Sequence, residues 1–187
     1  RYVQAKLKKK IIVKILSNEF SQFLSEVIES GIENVWIAEE ENTPNNYGIE
    51  YSHCNKKLNE INKNLIIQTK SNKYFELMHG FSNAQYSLEI SELNITSIIE
   101  QDTFFEEPIQ YSKYKGLSNL KIRSIKPELQ LKISNELKLR SISFYSEKGF
   151  EFGMIGEDNL KTHRELDKPM FDGCWLILDK EIIEMNK

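Results

Sequence analysis

An α+β domain, with a mostly antiparallel sheet and helices packed on it, is the fold class this 187-residue sequence predicts. Three observations carry that expectation. One segment, residues 20–28, has the apolar period of a helix. Many short runs rich in β-branched and aromatic residues are bounded by polar turn-formers. A strand–helix–strand–strand order also recurs loosely along the chain. The length fits one domain over residues 1–187, long enough to bury roughly two thirds of the surface its unfolded form would expose. Apolar residues at 40% and charged residues at 28%, with only 8 Gly and 4 Pro, exclude a disordered or a membrane-spanning composition.

The elements follow in order. "KIIVKIL" reads as a strand; its apolar run is broken by Lys14 and lacks a small-residue cleavage site, which argues against a signal peptide. In the helix that follows, Phe20, Phe23, Leu24, Val27 and Ile28 share one face. Ser17 is the expected N-cap, Glu19 suits the positive end of the helix dipole, and Gly31 supplies the left-handed residue that stops the helix. "NVWIAEE" and "YGIEYSH" read as strands separated by the loop "NTPNN". The order then repeats as the strand "NLIIQTK", a helix capped at Ser71 with Tyr74, Leu77, Met78 and Phe81 in register, and the strand "QYSLEIS". "EEPIQYSKY" echoes "YGIEYSH", Ile109, Tyr111 and Ser112 mirroring Ile49, Tyr51 and Ser52.

A third unit starts at "NLKIRSI", with a helix expected from Pro127 through "PELQLKISNELK", although Leu129, Leu131 and Ile133 also alternate as a strand would. The three expected helix starts are spaced by about 55 residues. A hairpin "RSISFYSEKGFEFGMIG" turning at "EKG", a helix in "EDNLKTHRELD" and a buried strand "CWLILD" complete the outline.

The charge pattern is more informative than the net charge of -3. Acidic and basic residues fall in blocks: the stretch between Lys14 and Lys56 holds glutamates and no Lys or Arg. The stretch between Lys73 and Lys113 repeats this with glutamates and Asp102, and residues 1–14, 56–73 and 113–140 are basic. Two arrangements are open: complementary elements that pair across the fold, or an acidic binding face. The face would comprise Glu39, Glu40, Glu41 and Glu50, joined by Asp102, Glu106 and Glu107, with Trp36 and Tyr47 as anchors. It would repel nucleic acid and attract a basic protein.

Candidate chemistry is sparse. His53, Cys54, His79, His163 and Cys174 lack the paired spacing of a zinc site, and neighbouring residues on a strand point to opposite faces. No metal site and no cofactor are expected. Two distant cysteines fit a reduced, cytoplasmic setting. The one pointed enzyme pattern is Pro127-Glu128 followed by Glu136-Leu137-Lys138, which resembles the acid–acid–lysine signature of metal-dependent nucleases. Gly153 and Gly156 lack the lysine and third glycine of a phosphate loop.

The stretch "IIVKILSNEFSQFLSEVIESGIENVWIAE", residues 11–39, is similar to a phrase found in several families of bacterial immunity proteins that protect against polymorphic or contact-delivered toxins. The matching residues are Ser17, Phe20, Leu24, Gly31, Ile32 and Val35. The resemblance implies a cytoplasmic, non-enzymatic inhibitor that binds a toxin domain, commonly a basic nuclease, through an acidic face. It assigns no binding residues. The expected function is therefore an immunity or antitoxin-type inhibitor with a protein partner and neither nucleic acid nor membrane. A metal-dependent nuclease centred on Glu128, Glu136 and Lys138, or an interaction subunit of a larger complex, stands as the alternative.

Overall fold

A computed structural model describes residues 18–39, 58–61, 64–82, 85–94, 110–131, 137–156 and 174–185. Within them lie helix α1 (Asn18–Ser30), strands β1 (Ile32–Glu39), β2 (Leu58–Ile61), β3 (Asn64–Thr69), β4 (Tyr74–Ser82), β5 (Gln85–Leu93), β6 (Gln110–Leu120), β7 (Ser124–Leu131), β8 (Leu137–Ser146), β9 (Gly149–Gly156) and β10 (Cys174–Ile177), and helix α2 (Lys180–Met185). All ten strands join one antiparallel sheet in the order β2-β10-β9-β8-β5-β4-β3-β1-β6, with β7 beside β8. The sheet dominates and curls as a half-barrel.

Strand β8 is the branch point. One of its edges carries β7 from Leu137 to Tyr145; the other is shared by β9, along Ser141–Ser146, and β5, at Leu139. Where β9 ends against β5 there is no room for a side chain: a Cβ on Gly156 would sit 2.9 Å from the backbone of Ser87.

The period-two alternation of the strands sorts residues onto two faces. On one, Val35, Leu65, Ile67, Phe75, Leu77, Leu88, Ile142, Phe144, Phe152, Met154 and Leu176 form the main core. Helix α1 seals it with Phe20, Phe23 and Val27. The Phe23 ring meets Phe75 edge-on at 5.2 Å and Phe144 at 6.2 Å, so one aromatic ring ties α1 to both β4 and β8. On the other face, α2 lays Ile182 and Ile183 against Ile155 and Ile177. Leu176 faces one cluster and Trp175 and Ile177 the other, which places the two helices on opposite sides of the sheet.

Helix α1 ends as its sequence requires. Gly31 adopts φ 82°, its N–H donates to the Val27 carbonyl at 3.0 Å, and a Cβ there would lie 2.8 Å from the Leu120 carbonyl oxygen. Ile28, expected on the buried face, is 45% exposed, because Phe20, Phe23 and Val27 already fill the width of the contact.

Two expected helices are strands. The spacing of Tyr74, Leu77, Met78 and Phe81 predicts a helix capped at Ser71, but residues 74–82 form β4. Asn72, at φ 65°, turns the chain back on β3, and Phe75 and Leu77 point into the main core together while Glu76, on the other face of the sheet, is buried and accepts from Asn64 Nδ2. Ser71 caps nothing; its hydroxyl donates to Glu26 of α1. The helix expected from Pro127 is likewise replaced, in its described residues, by strand: 127–131 belong to β7 and 137–138 to β8. Pro127 fits there because β7 pairs only with β8 among the described residues, leaving its missing N–H on an open edge. The strand–helix–strand–strand rhythm therefore fails in its second and third units. The strands expected in "KIIVKIL" and "YGIEYSH", the Ser17 cap and the helix in "EDNLKTHRELD" lie outside the described residues.

Candidate partner-binding face

Strand β1 carries the candidate site. On the side away from α1 it presents Asn34 and Trp36, and its neighbour β3 presents Gln68. Gln68 is a hub. Its Oε1 accepts from Asn34 Nδ2 at 2.8 Å and from Trp36 Nε1 at 3.3 Å, while its Nε2 donates to the Tyr74 hydroxyl at 2.9 Å and to Asn72 Oδ1 at 3.3 Å. The Tyr74 hydroxyl donates in turn to Asn72 Oδ1 at 3.2 Å. Both lone pairs and both hydrogens of the Gln68 amide are in use, which fixes the amide and with it the edge of the Trp36 ring. On the opposite side of β1, Lys113 of β6 stands across from Trp36 and holds its Nζ 5.0 Å from the ring centroid. Trp36 and Tyr74 are half-buried and Lys113 is exposed, so two rigid amphipathic rings are held where a partner can reach them.

The charge blocks resolve into two behaviours. Over most of the sheet they interleave. Strand β1, from the first acidic block, runs between β3, from a basic block, and β6, which leads into the next. Glu26 of α1 pairs with Lys73 at 3.0 Å and accepts from the Ser71 hydroxyl. That hydroxyl first, and the Lys73 ammonium after it, hold the Glu26 carboxyl below its ordinary range, while Glu26 raises Lys73. Glu26 of the acidic block is thus matched by the β3–β4 turn.

The far end of β1 behaves differently. Glu39 stands directly opposite Gln110 in the β1–β6 pair. One residue of each acidic block, Glu39 of the first and Gln110 of the second, is thereby brought into register. Of the site residues expected from sequence, Trp36 and Glu39 are placed on β1. Glu40, Glu41, Tyr47, Glu50, Asp102, Glu106 and Glu107 lie outside the described residues.

The nuclease pattern is also partly placed. Glu128 pairs with Ser141 and Gln130 with Lys138, on the face away from α1, and the Ser141 hydroxyl donates to Glu128 Oε2 at 3.1 Å. Glu136 lies outside the described residues. Among the described residues no group of three or more His, Cys, Asp or Glu side chains could hold a metal ion, and no helix is long and apolar enough to cross a membrane. His79 and Cys174 sit on β4 and β10, which are not neighbours; His53, Cys54 and His163 lie outside the described residues.

Gln68, Asn34, Tyr74 and Lys113 are not among the site residues the sequence predicts. The available signal was Gln68 itself, a polar residue following the apolar run Leu65–Ile67 of a strand. No protein-family model matches the chain, and no curated protein or solved structure matches it significantly.

Proposed function

We propose that this chain is a non-catalytic binding domain that captures a basic protein through an acidic face of Glu39, Glu40, Glu41 and Glu50, with Trp36 as an anchor. The observation that supports this reading is that Glu39, from the first acidic block, stands opposite Gln110, from the second, in the β1–β6 pair. Carboxylates there steer a cationic surface toward the site, and the pre-set ring of Trp36 gives it an apolar contact at low entropic cost. The similarity of residues 11–39 to bacterial immunity proteins makes a toxin domain, a basic nuclease, the partner this reading names, and the cytoplasm its compartment.

The test is protection. A toxic product encoded beside this gene is expressed with and without the chain; rescue of growth by the native sequence, and its loss on replacing Glu39, Glu40, Glu41 and Glu50 together by Gln, is the expected result. Equal rescue by the glutamine variant would remove these carboxylates from the account.

A second reading has one specific observation behind it: β7 and β8 bring Glu128 and Lys138 onto one face of adjacent strands, as a metal-dependent nuclease would need. Magnesium-dependent cleavage of DNA or RNA by the purified chain, abolished in Lys138→Ala, would favour it over the inhibitor.

A further inference from the structure

We infer that α2 is a strap that lifts off the sheet as a unit, hinged at Asp179, while the strands beneath stay folded, and that in its closed position it shields the hydroxyl of Ser143. This goes beyond the binding reading and does not depend on it. Helix α2 has only six residues, too few to persist as a helix in water, so docking and helix formation are one event. It is held by an apolar cluster of its own: Ile182 and Ile183 lie on Ile155 and Ile177, apart from the main core that α1 seals on the other face. Lifting α2 therefore leaves that core closed. Leu178 packs against the main core, whereas Asp179 caps α2: its Oδ1 accepts from the Glu181 N–H at 3.0 Å and its carbonyl from the Ile182 N–H at 3.2 Å. The change from anchored to detachable chain falls at Asp179.

What the strap covers is visible at Gly153. A Cβ there would lie 2.8 Å from Ile183 Cδ1 and 3.3 Å from Ser143 Oγ, so the missing side chain makes the seat that Ile183 fills, with the Ser143 hydroxyl at its margin. Ser143 stands opposite Gly153 in the β8–β9 pair and is 2% exposed. Its hydroxyl has no hydrogen-bond partner among the described residues. Burying an unpaired hydroxyl costs free energy that is recovered when water reaches it, so the closed position is favoured by two isoleucines and opposed by one serine. That opposition makes opening easier than it would be over a wholly apolar seat.

The test is thiol labelling on the full chain without denaturant. Ser143→Cys puts a reactive thiol under the strap with little change of shape. Ser87→Cys puts one at an equally buried position on β5, where the native hydroxyl donates to the Gly80 carbonyl of β4. Each variant is reacted with an aromatic disulfide reagent, and the label is located by peptide mass so that Cys54 and Cys174 do not interfere. The expected result is faster labelling at position 143 than at position 87. Adding Ile183→Ala, which removes apolar contact from the docked face of α2, should accelerate labelling at 143 by about ten- to fifty-fold and leave position 87 unchanged. Equal rates at the two positions, or equal acceleration at both, would show that α2 leaves only with the whole sheet. No acceleration at 143 would show that α2 does not cover it, and any of these results overturns the inference.

Discussion

Replacing Phe23 by alanine tests whether α1 is locked onto the sheet in the way that leaves the opposite face of β1 open to a partner. The ring is fully buried and edge-packed against Phe75 and Phe144 on two different strands. Truncating a buried phenylalanine costs about 3–5 kcal/mol, made up of the lost transfer energy and the cavity left behind. Each edge-to-face ring contact contributes about 0.5–1.5 kcal/mol of that. Phe23→Leu keeps most of the volume and loses the ring contacts, so it should cost about 1–2 kcal/mol and separate the two components. Domains of this size have about 5–15 kcal/mol to lose, so both variants remain measurable. Urea denaturation followed by far-ultraviolet circular dichroism gives the midpoint and slope. The expected result is a lowered midpoint at unchanged slope, with alanine well below leucine. A loss under about 1 kcal/mol for Phe23→Ala would refute the packing argued for α1, since no fully enclosed phenylalanine is that cheap to remove.

Three further outcomes are expected. Gln68→Leu leaves the Asn34 amide, only 9% exposed, without its acceptor, and should cost about 1–3 kcal/mol while freeing the Trp36 ring; tryptophan anisotropy in a Trp175→Phe background reports the second effect, and unchanged anisotropy would count against the hub. The Glu26 carboxyl is held below its ordinary value of 4.5, foremost by the Ser71 hydroxyl, so its stabilisation is complete above pH 4.5 and is lost as the pH falls through the depressed value. Stability of the native chain should therefore fall more steeply below pH 4.5 than that of Glu26→Gln, and parallel curves would show that the contact contributes nothing. Lys73 is shifted the opposite way, upward from 10.5, so its share persists through neutral pH and is lost only as the solution becomes strongly alkaline.

How far the sequence discloses this fold depends on whether one period or two fit the same residues. Helix α1 was legible because its apolar residues have no period-two alternative and Gly31 marks its end. The β8–β9 hairpin was legible from its turn at residues 147–148. Strand β4 was not, because Tyr74, Leu77, Met78 and Phe81 satisfy helical spacing by coincidence. The deciding feature, Phe75 and Leu77 packing on the same core as Phe23, is a long-range contact that no local window contains. The short strand β2 and helix α2 gave no periodic signal of useful length.

The site was legible in the same uneven way. Acidic blocks can be read along a chain, but which of their residues come together is a matter of register: Glu39 falls opposite Gln110, while Lys73 pairs with Glu26. Gln68 is not legible from sequence because its role lies in four simultaneous partners contributed by β1, β4 and the β3–β4 turn, none of them charged.

The most direct measurement is the association rate of the purified partner with the native chain and with the variant carrying Gln at Glu39, Glu40, Glu41 and Glu50, each followed by stopped flow across a salt series. Steering by carboxylates predicts that the variant associates about ten-fold more slowly at low ionic strength and that the two rates converge as salt screens the native chain. Identical rates at every salt concentration would contradict the account.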